Sequence, residues 1–273
     1  YDEWKNDENF ITDLIRMLDN VISYFVANAP DTLSKAKFSA ERERSLGLGA
    51  MGFHAYLQRQ NIPFESAFAK SHNARMFKHI KAEAVNATQT LAVERGEAPD
   101  AVGEGVRNVH LLAVAPNASS SIICGNTSPS IEPYRANAFT QKTKSGSSLL
   151  KNEYLEHVLQ ELGEDTDEVW KSIITNSGSV QHLEFLSDEE KNVFKTYAEI
   201  DQMDIIYQAA NRQNYIDQGQ SVNLMIHPNM PVKEINKIYI SAWELGLKSL
   251  YYQHSMNAAQ KFKQKKECAS CEA

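Results

Sequence analysis

The 273-residue chain carries 28 Lys plus Arg against 35 Asp plus Glu, a formal net charge of −7, with 42% hydrophobic and 23% charged residues. That balance excludes wholesale disorder and makes general nucleic-acid binding a poor fit, and no apolar run approaches the roughly 18 residues a membrane span needs. Three cysteines cannot staple a chain this long, so the reading is a reducing, cytoplasmic compartment and a fold that rests on its core. No secretory leader is read at the start, and Tyr1 in place of an initiator Met predicts a piece of a longer protein.

With only 12 Gly and 8 Pro, the composition favours long regular elements over a loop-rich all-β fold. Phe10, Ile11, Leu14, Ile15, Leu18, Val21, Ile22 and Phe25 follow the spacing of an amphipathic helix that Pro30 and Asp31 end. The Gly-punctuated run Leu46-Gly-Leu-Gly-Ala-Met-Gly-Phe53 predicts a helix or turn whose backbone packs closely against a neighbour. A mostly polar helical stretch follows from about Phe64 to Arg95. Beyond Pro99, Val109 to Ala115 is a continuous apolar run, the form of a strand buried on both faces, and it leads directly into Pro116-Asn-Ala-Ser-Ser-Ser-Ile122. Cys124, after Ile122 and Ile123, reads as a small core residue.

Ser187-Asp-Glu-Glu190 is a capping box, and Ile205, Ile206, Ala209, Ala210 and Ile216 carry a helical pattern to Asp217. Ser221 to Ile226 reads as a strand. A helix follows with Pro231 at its first position, Ile235, Ile238, Tyr239, Ala242 and Leu245 along one face, and Gly246 closing it. Leu247 to Tyr252 reads as a last strand. Strand, helix, strand predicts a βαβ unit and an α/β class with a parallel sheet. The chain thus divides into a mainly helical part over 1–98, a strand–helix part over 99–258 and a charged, mobile tail over 259–273.

Three groups of residues could carry chemistry. The turn Pro116, Asn117, Ala118, Ser119, Ser120 would leave backbone N–H groups and hydroxyls exposed at a helix start, which suits a phosphate, although an ordinary Ser-rich helix cap has the same composition. Tyr251 and Tyr252 are adjacent on a strand, where alternation ordinarily gives one core ring and one surface ring. Cys268 and Cys271 form a CxxC pair in the tail. No four-ligand zinc set surrounds them, and a dithiol on a mobile arm suits thiol–disulfide exchange.

Taken together, Arg44-Ser-Leu-Gly-Leu-Gly-Ala-Met-Gly-Phe-His54, Pro116-Asn-Ala-Ser-Ser-Ser121, Gly125-Asn-Thr-Ser-Pro-Ser-Ile-Glu-Pro-Tyr134, Tyr215-Ile-Asp-Gln-Gly-Gln-Ser-Val-Asn-Leu224, Gly246-Leu-Lys-Ser-Leu-Tyr-Tyr-Gln253 and the CxxC tail resemble the C-terminal part of the large (alpha) subunit of class I ribonucleoside-diphosphate reductase. The resemblance implies the second half of a ten-stranded α/β barrel, a five-stranded parallel half with surrounding helices, followed by a flexible C-terminal tail. It implies that Pro116 to Ser120 bind the diphosphate of a ribonucleoside diphosphate. Tyr251 and Tyr252 would relay an electron and a proton from a radical-bearing beta subunit. Cys268 and Cys271 would re-reduce the active-site disulfide and then be reduced by thioredoxin or glutaredoxin.

By the same resemblance no cofactor belongs to this chain, the radical or metal centre belongs to the beta subunit, and the partners include the N-terminal part of the alpha subunit. No nucleic-acid or membrane partner is implied. Some family members have Glu-Thr where this chain has Ala118-Ser119. No counterpart of the radical-bearing Cys, of its neighbouring Asn and Glu, or of the active-site cysteine pair is found here. The chain is therefore expected to be incomplete as an enzyme. A cobalamin-dependent reductase, which needs no tyrosine relay, and a non-catalytic partner-binding remnant are the competing readings.

Overall fold

The computed structural model describes residues 1–144 and 146–255. The predicted tail over 259–273, with Cys268 and Cys271, lies outside the described residues. Helices dominate. The first, α1 (Phe10–Asn28), buries the Ile11, Ile15, Asp19 edge of its apolar stripe, and α2 (Ser34–Glu43) follows a short 3-10 turn. Next come α3 (Phe53–Arg59) and the 29-residue α4 (Ala67–Arg95), whose N-cap Ser66 accepts the Ala69 N–H at 3.1 Å. Then follow α5 (Ala118–Ile123), α6 (Glu153–Leu162), α7 (Asp167–Thr175), α8 (Asp188–Val193), α9 (Gln202–Gln213) and α10 (Val232–Glu244).

Four extended segments run side by side in parallel through the middle. Leu46 and Leu48 donate to His110 and Leu111 at 2.8 and 2.9 Å, tying 46–49 to 110–114. Val114 and Ser221 exchange bonds with Gly219 and Val114 at 3.1 and 2.8 Å, tying 110–114 to 218–226. Leu224 and Ile226 donate to Tyr252 and His254 at 2.9 and 2.8 Å, tying 218–226 to 251–254. Only the last pair is regular enough to form named strands, here β3 (Leu224–Met225) and β4 (Gln253–His254), labelled after an antiparallel hairpin of β1 (Ala138–Thr143) and β2 (Gly146–Lys151).

Side chains complete the short ladders. Asp217 Oδ2 accepts the N–H groups of Leu111 and Leu112 at 2.8 and 3.0 Å, its other oxygen pairs with Lys81, and Gln218 Nε2 donates to Leu46 O at 2.5 Å. Burial works against ionisation of Asp217, but the Lys81 ammonium and the two backbone N–H groups hold its carboxyl below the usual range. The main core joins α1, α3, α4 and α9 to the ladder through residues such as Ile15, Leu57, Phe77, Leu91, Leu112 and Val222. A second core around Trp170, Leu155, Leu159 and Phe194 packs α6, α7 and α8 beside the hairpin.

Several expectations hold. The β3–α10–β4 unit is a βαβ unit with parallel strands, and Ser187 and Glu190 form the reciprocal capping box. Others are corrected. The run 46–53 packs its backbone closely against 110–114 as expected, but it does so as an extended ladder edge that turns into α3 and not as a helix or turn. Pro231 is the N-cap of α10, with ψ of 140°, because its backbone is still extended there. Tyr239 and Leu245 are partly exposed, since α10 buries mainly Ile238 and Ala242. α9 stops at Gln213, so that Asp217 can leave the helix and reach the ladder. The last strand, β4, begins only at Gln253, so 247–252, including Tyr251 and Tyr252, lead from α10 into it instead of forming it. Cys124 is exposed, because α5 is a short surface helix on which Ile123 also faces solvent.

Candidate functional site

Glycine lets the first two ladder segments meet backbone to backbone. A Cβ on Gly49 would lie 2.7 Å from Ala113 O, closer than packing allows. Both segments then turn away at their C-terminal ends. Gly52 adopts φ of +81°, and Asn117 adopts φ of +50° before the chain enters α5. The diverging ends leave an open cleft of about 230 Å³ lined by Gly47, Gly49, Met51, Ala113, Asn117 and Ser120.

The start of α5 faces this cavity with unused donors. Among the described residues the N–H groups of Ala118, Ser119 and Ser120 find no acceptor, as expected for the first turn of a helix, and Ser119 and Ser120 are exposed. Asn117 makes no side-chain cap, so it does not compete for them. Ser121 is turned inward, donating to Ala118 O at 3.0 Å. The lining carries no charged side chain, so the attraction it offers an anion is that of oriented backbone dipoles. Of the residues expected at this turn, Asn117 and Ser120 line the cavity, Ala118 and Ser119 stand exposed beside it, and Pro116 precedes the turn.

Tyr251 and Tyr252 sit on the fourth ladder segment. They are 49% and 59% exposed, and their ring centroids are 4.1 Å apart with planes inclined at 50°. Neither ring is in the core, contrary to the division that strand alternation predicts. The Tyr252 hydroxyl, through hydrogen bonding and then charge, holds the Tyr251 phenol above its ordinary pKa. The His254 ring stands 6.1 Å from that of Tyr252, and its Nε2 lies 3.2 Å from the Arg135 guanidinium.

Two features of the neighbourhood are absent from the sequence reading. Glu132 is buried at 4% exposure, and Asn223 Nδ2 donates to its Oε1 at 2.6 Å. Burial pushes the Glu132 carboxyl above the usual range, offset in part by Arg135 and by the Asn223 bonds. The available signal was an acid set between Ile131 and Pro133. His54 is wholly buried, and its Nδ1 accepts the Tyr134 N–H at 3.0 Å, locking the motif at 44–54 to the motif at 125–134. Burial pushes its pKa down to about 3, so the ring is neutral. Among the described residues no three His, Cys, Asp or Glu side chains gather in a way that could hold a metal ion, and no helix is long and apolar enough to cross a membrane.

A family model described as the barrel domain of ribonucleotide reductase matches residues 2–101 and 99–253. The chain is 48% identical over 263 residues to the ribonucleoside-diphosphate reductase large subunit of Invertebrate iridescent virus 6, covering 95% of this chain and 27% of that protein. It is 46% identical over 284 residues to the putative large subunit of Frog virus 3 (isolate Goorha), covering 100% of this chain and 50% of that one. Among solved structures, the class Id ribonucleotide reductase alpha subunit of Actinobacillus ureae matches with a TM-score of 0.88 at 47% identity, over 96% of this chain and 49% of that chain. The chain spans half or less of the length of these relatives.

Proposed function

The chain belongs to the ribonucleotide reductase barrel-domain family, and on that premise we propose that it is the C-terminal part of a class I reductase alpha subunit. Completed by an N-terminal alpha part and a radical-bearing beta subunit, it would help convert ribonucleoside diphosphates to deoxyribonucleotides. The four parallel segments support a reading as part of the second five-stranded half of the barrel. Large apolar side chains left in solvent, among them Trp243 on α10 and Tyr24 on α1, support surfaces that meet further protein.

In this reading the free N–H groups of Ala118, Ser119 and Ser120, with the Ser119 and Ser120 hydroxyls, hold the substrate diphosphate at the cavity. Tyr251 and Tyr252 pass oxidising equivalents: one phenol gives up an electron and its proton, and the neighbouring tyrosyl radical regains both. The radical itself would originate at a centre in the beta subunit. Cys268 and Cys271 would reduce the active-site disulfide by thiol–disulfide exchange and be reduced in turn by thioredoxin or glutaredoxin.

The observation that carries the proposal is the tyrosine pair. Two adjacent, half-exposed phenols 4.1 Å apart are a poor solution for packing and a good one for short-range radical exchange. In the reconstituted reductase, Tyr251→Phe and Tyr252→Phe keep each ring and remove its oxidisable hydroxyl. Turnover should collapse while folding and substrate binding hold, and normal turnover by both variants would sink the relay. Ser119→Ala with Ser120→Ala should weaken diphosphate binding more than stability. For the tail, replacing Cys268 and Cys271 by Ser should abolish turnover driven by thioredoxin or glutaredoxin, while a small dithiol restores part of it. Equal activity with both reductants would remove the tail from the mechanism.

A further inference from the structure

In a regular parallel strand, alternate N–H groups point to the same neighbour, and successive side chains point to opposite faces. Residues 251–252, the two that lead into β4, do not follow that alternation. Tyr251 N–H donates to Val222 O at 2.8 Å, and the very next N–H, of Tyr252, donates to Asn223 Oδ1 at 3.1 Å. Two successive donors thus face one segment, and the two successive rings fall together instead of apart. A side-chain oxygen has taken the place of a ladder carbonyl.

That oxygen is held in position from behind. The Asn223 side chain, on a residue only 3% exposed, donates through Nδ2 to Glu132 Oε1 at 2.6 Å, and the Asn223 N–H adds a 3.3 Å contact to the same oxygen. The carboxylate is an acceptor only, so it fixes which end of the amide faces Tyr252. The Asn223 carbonyl is fixed as well, accepting from the Tyr197 hydroxyl at 2.5 Å. Among the described residues the hydrogen bonds to Glu132 come from Asn223, while the Arg135 charge acts on it without a bond. A buried carboxylate held this way is costly unless its hydrogen bonds accomplish something local.

We propose that Glu132 and Asn223 are positioning residues for the tyrosine pair: Glu132 orients the Asn223 amide, and that amide holds the Tyr252 backbone out of strand alternation so that the two phenols stay in contact. The inference rests on the relay reading only for its consequence in turnover, because the positioning itself is a property of the backbone. Both act through Tyr252.

The test uses the assembled reductase with Glu132→Ala, Glu132→Gln and Asn223→Leu, each compared with the parent by hydrogen–deuterium exchange over residues 250–254. Losing one hydrogen bond to a charged group should speed exchange of the Tyr252 amide by about 10- to 100-fold in Glu132→Ala and Asn223→Leu, with the Leu112 amide unchanged as a control on global stability. Glu132→Gln keeps an oxygen for Asn223 Nδ2 and should return exchange to near the parent rate. Turnover in the first two variants should fall in kcat with little change in the KM for substrate, and Glu132→Gln should recover most of it. Unchanged Tyr252 exchange in both disruptive variants would overturn the proposal, as would a Glu132→Gln variant as damaged as Glu132→Ala. The two readings fail differently. Faster exchange with unaltered kcat leaves the positioning intact and removes the relay, whereas unaltered exchange in a protein inactivated by Tyr252→Phe leaves the relay and removes the positioning.

Discussion

Around Asp19 the chain gathers three arginines on one carboxylate, whereas around Arg212 the described residues supply no opposite charge at all. Asp19 is fully buried, with Arg44 at 2.7 Å, Arg95 at 2.9 Å, Arg107 at 3.5 Å and the Asn108 amide at 3.1 Å. Burial works against its ionisation, yet the arginine bonds, Arg44 foremost, hold its pKa below the usual range. Arg212 is just as deep. Its Nε donates to Gln220 Oε1 at 3.2 Å and Nη1 to Asn73 Oδ1 at 2.8 Å, and the guanidinium lies over the rings of Phe53 and Phe77 at 5.8 and 5.7 Å. Without an anion, burial pushes its pKa down to about 9. One charge is neutralised by countercharge and the other is solvated by amides and ring faces. The first arrangement fails when a partner leaves; the second should tolerate loss of the charge itself.

The largest expected effect follows from breaking the first arrangement. Asp19→Asn keeps the shape and leaves three arginines facing one another, which should cost about 3–5 kcal/mol in a denaturant titration. A cost near zero would mean the arginines reach water. Arg212→Met should cost less, about 1–3 kcal/mol, because it strands the Asn73 and Gln220 oxygens but also removes a desolvated cation. Should it cost more than Asp19→Asn, the contrast between the two sites would be wrong.

His54 offers a third treatment, since it can shed its proton. Its folded pKa near 3 lies below the unfolded value of 6.5, so the unfolded chain binds the extra proton and stability falls as pH drops below 6.5. Going from pH 7 to pH 5.5 should remove roughly 1 kcal/mol through this group, read as the pH slope that His54→Asn abolishes. The smallest effect belongs to Arg16 and Glu94, the same ion chemistry as Asp19 but in solvent at 2.6 Å. Arg16→Ala should leave the melting temperature within the scatter of the measurement, less at high salt than at low.

These contrasts also explain what the sequence made legible. Signals that act within a few residues were readable: the Ser187–Glu190 box, the stripe of α1, the apolar run before Pro116 and the helix start it feeds. The hairpin over 138–151 was missed because Gly146-Ser-Ser-Leu-Leu-Lys151 has no clean alternation. Asp19 sits one position from the apolar Leu18, and nothing local says that Arg44, Arg95 and Arg107 converge on it. For the site, the turn at 116–120 was identifiable as a helix start, whereas the closeness of Tyr251 and Tyr252 was legible only through the family resemblance and not from the local pattern. The rule of alternation pointed the other way, and the residue that breaks it, Asn223, is remote in sequence.

The ladder's stitching has a kinetic side. Asp217 reaches Leu111 and Leu112 across 106 and 105 residues, and Gln218 reaches Leu46 across 172. Contacts so distant must overcome loop-closure entropy before they return any stability, and chains dominated by them fold slowly. The long α4 and the capped helices of the second core can form early, from neighbours alone. The cavity beside α5 cannot, because its two walls belong to ladder segments, 46–49 and 110–114, that are themselves distant in sequence and meet through the Leu46–His110 and Leu48–Leu111 bonds. If α5 holds an anion as proposed, the recovery of that binding in a refolding experiment should come later than the helical signal.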